Sequence, residues 1–208
     1  MTALFFSSFA VAFSGAIMPG PLLSFTVTES TRKGFITGPL VILGHAVLEL
    51  LLIAAILFGL APVLNNNLFF SVVSFVGGGI LVWLGIGMVR SIPSLKVEWE
   101  RKGGTSSRAV IRGIILSLAN PYWIVWWATI GLGYILQAKA FGITGIALFY
   151  IGHILADLVW YSLVSWTISK GRKLFTDKVY KWLVGVCSGI MIGFAGYFVF
   201  RGISAFPF

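Results

Sequence analysis

Six apolar runs, separated by short polar stretches, decide what this chain can fold into. They cover approximately residues 4–28, 39–60, 69–90, 109–131, 142–168 and 181–203. A helix rises about 1.5 Å per residue, so about 20 residues cross a hydrocarbon core. Each run is long enough. In lipid, backbone N–H and C=O groups find no water, which leaves only helices and closed barrels. Barrel strands alternate in polarity and need only about ten residues, and these runs do neither. The expected fold is therefore an all-α integral membrane protein with six transmembrane helices. Composition agrees: 10% of the residues are charged, against roughly 25% in a soluble domain.

A formal net charge of +9 would suggest nucleic acid in a soluble protein. Here the basic residues sort by side, so no nucleic-acid partner is expected. Of fifteen Lys and Arg, only Lys139 and Arg201 fall on one side of the predicted membrane. The rest lie at Arg32 and Lys33, between Arg90 and Arg112, and between Lys170 and Lys181. Basic loops stay cytoplasmic, so both termini are expected outside a cell membrane crossed several times. The first run is not read as a cleaved signal peptide, because no basic residue precedes it and it runs into Pro19-Gly20-Pro21. The single cysteine, Cys187, excludes an internal disulfide and a dithiol electron carrier. It reads as a small residue in a helix.

The halves of the chain resemble each other. Gly44, His45 and Glu49 in the second run match Gly152, His153 and Asp157 in the fifth, at the same spacing. Gly20-Pro21 interrupts the first run and Asn120-Pro121 the fourth. Gly78, Gly85 and Arg90 correspond to Gly189, Gly196 and Arg201. Three spans per half place the second half upside down, so the six helices are expected as two inverted three-helix repeats, as in many secondary transporters. The expected organisation is one transporter domain over 1–208, with repeat one at about 1–92, a connecting loop at about 93–108 and repeat two at about 109–208. Gly103-Gly104-Thr105-Ser106-Ser107 in that loop reads as a flexible connection.

Proline inside a helix removes a hydrogen bond and clashes with the preceding turn. In a membrane the freed groups have to be buried in protein or face a cavity. Pro19, Gly20, Pro21, Asn120 and Pro121 are thus expected at a central binding site. Glu49 and Asp157 are the acids within the runs, and such residues normally face an interior cavity. His45 and His153 each lie one turn before an acid, on the same helix face. An imidazole that titrates near neutrality beside a carboxylate suits a proton relay, a cation site or both. Two His and two acids bind a transition metal only if the two helices face each other, so no metal site is assigned. Gly185, Gly189 and Gly193 read as a close-packing stripe. Tyr122, Trp123, Trp126 and Trp127 follow the second break and read as lining a pore or, at least as readily, as contacting lipid or the membrane interface. No phosphate loop, zinc-protease signature or nucleophile elbow is present, so neither an enzyme nor a cofactor is expected.

Pro19-Gly20-Pro21, then Arg32-Lys33-Gly34, the small-residue run from Gly38 to Glu49, Val82-Trp83-Leu84-Gly85-Ile86-Gly87 before Arg90, and Asn120-Pro121 together resemble the LysE/RhtB family of amino-acid exporters over nearly the whole chain. Glu49 stands where many members carry Asp. The resemblance implies proton-driven export of amino acids or similar small metabolites from a prokaryotic cell. It leaves the substrate open and allows a homo-oligomer. The alternatives are a metal-cation exporter using His45, Glu49, His153 and Asp157, and a membrane subunit without transport. The paired helix breaks disfavour the second.

Overall fold

The computed structural model describes residues 1–64, 66–97, 106–171 and 176–206. The glycine-rich connection at 103–105 lies outside the described residues, as do Arg101, Lys102, Arg172 and Lys173. Ser106 and Ser107, expected in that connection, begin a helix instead. Every regular element among the described residues is helical.

The first run forms two helices, α1 (Thr2–Ala16) and α2 (Pro21–Lys33), bent by 75°. The second forms α3 (Thr37–Ala55), a wide π turn at Ile56–Leu60 and the short α4 (Ala61–Leu64). The third is α5 (Asn67–Ser91). The fourth is again broken, into α6 (Ser106–Leu118) and α7 (Pro121–Trp126), with a 64° bend. A π turn at Trp127–Gly131 carries α7 on into α8 (Leu132–Lys139). The last two runs are α9 (Gly142–Lys170) and α10 (Asp177–Ala205). Four helical stretches are long and apolar enough to cross a membrane, and six if each bent pair is one span.

The breaks are local chemistry. Pro21 and Pro121 each take the first position of a new helix, where the missing N–H costs nothing and the fixed φ suits the turn. Gly20 precedes Pro21 in extended backbone. Asn120 caps α7 by accepting from the Tyr122 N–H at 3.1 Å. Within the other π turn, Gly59 has a φ of 114°, a conformation open mainly to glycine.

Packing crosses between the halves. α1 lies on α9, α3 on α6, and α5 on α10. The first element of each half thus rests on the second element of the other, and the third elements pair. Glycines permit the close crossings: a Cβ at Gly44 would collide with the Val110 carbonyl, and one at Gly113 with the Val41 carbonyl. At Gly152 it would lie 2.7 Å from the Phe5 carbonyl oxygen. The stripe on α10 departs from expectation. A Cβ at Gly189 or Gly193 would meet nothing within 4 Å, and one at Gly185 only Ile92 at 3.7 Å. The reason is rotational: α10 turns its buried Ser188, Met191 and Ala195 inward, and α5 supplies Gly78 and Gly85 for the approach. Large apolar side chains such as Phe58, Trp83 and Trp182 point outward, as lipid contact demands.

Candidate functional site

Midway along α3 and α9, four ionisable side chains converge. His45 and Glu49 share one face of α3, and His153 and Asp157 one face of α9, each pair separated by one turn. Glu49 is the centre. His45 Nε2 lies 3.0 Å from Glu49 Oε1. His153 Nε2 lies 3.2 Å from Oε1 and 3.1 Å from Oε2. Asp157 Oδ2 stands 3.7 Å from His45 Nε2 and 3.5 Å from His153 Nε2. All four residues are buried; Glu49 is 1% exposed.

Charges so deep are tolerable only when paired and hydrogen-bonded. Trp123 and Trp127 supply the bonds. Their indole N–H groups donate to Glu49 Oε1 at 3.0 Å and 2.9 Å. Spaced by four residues across the start of the π turn, both indoles reach the same oxygen. Gly131 makes this possible, since a Cβ there would lie 2.5 Å from the Trp127 ring. Trp126, Trp127 and Phe149 crowd around the His153 ring, with centroids at 4.7, 5.6 and 6.0 Å. His45 is held from its other side. Ser117 Oγ gives its proton to the Gly113 carbonyl at 2.7 Å. It therefore accepts from His45 Nδ1, also at 2.7 Å. With Nδ1 as donor, the short contact from Nε2 to Glu49 needs one more proton. Imidazole and carboxylate share that proton across the 3.0 Å contact.

Three atoms of this cluster, Glu49 Oε2, His153 Nδ1 and Asp157 Oδ2, make no hydrogen bond among the described residues beyond the ion-pair contacts given above. Buried polar atoms are seldom left so, and these border a cavity of about 70 Å³. A water needs about 10–15 Å³ on this measure, so several fit. The cavity reaches from the four side chains to both helix breaks, where Gly20 and Asn120 line it. A Cβ at Gly20 would sit 3.6 Å from Asn120 Nδ2, so the breaks adjoin. The prolines lie elsewhere. Pro19 and Pro21 border neighbouring cavities, and Pro121 is packed against Gly77.

The chemistry available is proton exchange between imidazole and carboxylate, or cation binding. One donor atom from each of His45, Glu49, His153 and Asp157 lies within 4.8 Å of the others, the composition of a transition-metal site. Sequence reasoning missed Ser117 altogether and left the tryptophans undecided. Their spacing of four, directly after a predicted break, is the feature that could have placed them.

Relatives of similar length match over most of the chain. YcgF of Bacillus subtilis (strain 168), whose name assigns amino acid efflux only provisionally, is 24% identical over 96% of this chain and 97% of its own. The chemotactic transduction protein ChpE of Pseudomonas aeruginosa is 27% identical over 94% and 97%. The threonine efflux protein of Escherichia coli (strain K12) is 24% identical over 93% and 96%. No solved structure matches. Residues 13–202 match the family described as LysE type translocator. The chain is a multi-pass helical membrane protein that belongs to the LysE type translocator family.

Proposed function

We propose that the protein exports amino acids or similar small metabolites across the cell membrane, as a secondary transporter driven by protons. The observation that carries this is the single cavity joining the buried acid–histidine cluster to both helix breaks. An amino acid needs two opposite poles in its site. Glu49 and Asp157 offer carboxylates to its ammonium group, the helix start at Gly20-Pro21, which no side chain caps, offers N–H groups and a positive dipole to its carboxylate, and Asn120 adds its side-chain amide. Efflux relatives of similar length support the reading. One domain over 1–208 does the work. The crossed packing of the two halves fits inverted repeats that rock about the fixed site. The basic ends of α2, α5, α9 and α10 face the cytoplasm in this scheme, and both termini face outward. The open glycine face of α10 is the surface on which a homo-oligomer would form.

Export against a gradient requires an ion whose flow is coupled to substrate. The shared proton between His45 and Glu49 is the natural one, with Asp157 as the second station. When the cavity opens to one side, water solvates the acids and exchanges their protons. When it opens to the other, substrate leaves.

A second reading is favoured by one observation. Contacts of 3.0 to 3.7 Å link the two Nε2 atoms to the carboxylate oxygens. Those are near the edges of a tetrahedron about a zinc-like ion bound at about 2.0–2.2 Å. Counterflow into proteoliposomes with a panel of labelled amino acids and divalent metals separates the two. Exchange of amino acids supports the proposal. Exchange of metals alone supports the second reading.

A further inference from the structure

A larger cavity lies on the basic side of the molecule, between α2, α5, α6 and α10, and the central site does not use it. Its volume is about 330 Å³, within the range of small-ligand pockets, about 300–1,000 Å³. Ser91, Arg112 and Tyr180 border it, near the last turn of α5 and the first turns of α6 and α10. The segment after α5 is strapped across this end. The Val97 N–H donates to Asp177 Oδ1 at 2.8 Å, and Lys181 Nζ donates to the Pro93 carbonyl at 3.0 Å. Leu95 of that segment forms part of the wall.

This cavity leads to the centre through shared residues. Pro21 borders it, directly after Gly20 of the central cavity. Met191 borders both it and a small gap of about 20 Å³. That gap shares Met18, Gly20, Asn120 and Tyr122 with the central cavity. The α2 break and Met191 stand between the outer cavity and the centre; Met191 is an unbranched thioether, 1% exposed, whose flexible side chain can change rotamer without moving a helix.

The outer cavity is mainly apolar but carries one unbalanced charge. Arg112 is exposed and has no acid partner among the described residues. On the wall of α2, the Ser24 hydroxyl finds no oxygen or nitrogen partner. One turn on, the Thr28 and Tyr180 hydroxyls bond each other at 2.8 Å. A guanidinium beside a strip of hydroxyls and an apolar wall suits a small carboxylate with an organic side chain, because Arg binds carboxylates through paired N–H groups.

We infer that this cavity is the cytoplasmic mouth of the transport route, and that Arg112 receives the carboxylate of the amino acid there before it passes Met191 to the central site. The inference rests on the proposed export of amino acids. Arg112 attracts the anionic end, and the acids at the centre attract the ammonium end. A molecule bearing both ends is drawn in, whereas a simple amine gains nothing at the mouth.

The test uses the full chain in proteoliposomes on a Cys187→Ser background. A cysteine replacing Thr28 is exposed to a membrane-impermeant maleimide from either face. Labelling is expected from the face that carries the basic loops, and to slow when a transported amino acid is added. Arg112→Gln is expected to raise the half-saturating amino-acid concentration from that face by about tenfold or more, the loss of one charge-assisted interaction. The maximal rate should fall less, and Arg112→Lys should recover part of the loss. A purely structural role would lower rate and folded yield together and leave half-saturation where it was. Labelling from the opposite face only, or an unchanged half-saturation in Arg112→Gln, overturns the inference. If the unmodified protein carries no amino acid at all, the functional reading fails instead, and the sidedness of Thr28→Cys labelling still decides whether the mouth exists. If a lipid tail fills the cavity, labelling is slow and insensitive to amino acid, which also overturns it.

Discussion

His45 Nδ1 and Ser117 Oγ lie 2.7 Å apart, and the serine has already given its only proton to the Gly113 carbonyl. This orders the whole cluster. A serine on α6 fixes the imidazole of α3 so that Nε2 points at Glu49 and Asp157. Ser117→Ala would leave a buried N–H unpaired, a cost of about 1–3 kcal/mol. We expect the variant to insert and to lose about tenfold in uphill transport, one factor of ten being about 1.4 kcal/mol. Initial rates in proteoliposomes, normalised to folded protein, check this.

Gly131 keeps space for the Trp127 indole that donates to Glu49. Gly131→Ala places a methyl group against that ring, and overpacking costs about 1–3 kcal/mol. The prediction is a lower melting temperature, a shifted tryptophan emission and slower transport. Gly133→Ala, where a Cβ meets nothing within 4 Å, should melt within error of the parent.

Glycines of equal standing in the sequence are unequal in the fold. Gly44→Ala and Gly113→Ala drive a methyl into a carbonyl of the facing helix and are expected to abolish folded yield or lower stability by about 1–3 kcal/mol or more. Gly189→Ala and Gly193→Ala face open space and should leave thermal stability of the monomer unchanged. Melting curves in detergent decide it.

Six spans, two breaks and a central pair of His/acid turns were readable because each rests on a local rule: apolar length, proline sterics, or one turn of spacing. Contacts between helices were not, because they depend on how each helix is rotated about its axis. A repeated small-xxx-small pattern carries no information on which face is buried, so Gly185, Gly189 and Gly193 misled while Gly44 and Gly113 carry the crossings. Ser117 was invisible for the same reason: its partner is 72 residues away on another helix. Trp123 and Trp127 needed the π turn and Gly131 to face inward, and hydropathy cannot distinguish that from a lipid-facing belt.

Topology has its own test. Single cysteines replacing Asn66 and Thr105 on a Cys187→Ser background should react with impermeant maleimide from opposite faces, Asn66 from outside and Thr105 from inside. The basic residues at the ends of α2, α5 and α9 motivate this. Thr105 reacting from outside would reverse the assignment, and with it the face assigned to Arg112.

The central claim is that Glu49 and Asp157 couple proton flow to export. Glu49→Gln and Asp157→Asn keep volume and a polar head while removing the proton-binding carboxylate. Measuring uphill transport under a pH gradient and counterflow without one, on the same reconstituted variants, tests the claim most directly. The account predicts that at least one variant loses gradient-driven export yet retains substrate exchange, which moves no net proton. Normal uphill pumping by both variants would contradict it and leave the four side chains as a packing cluster.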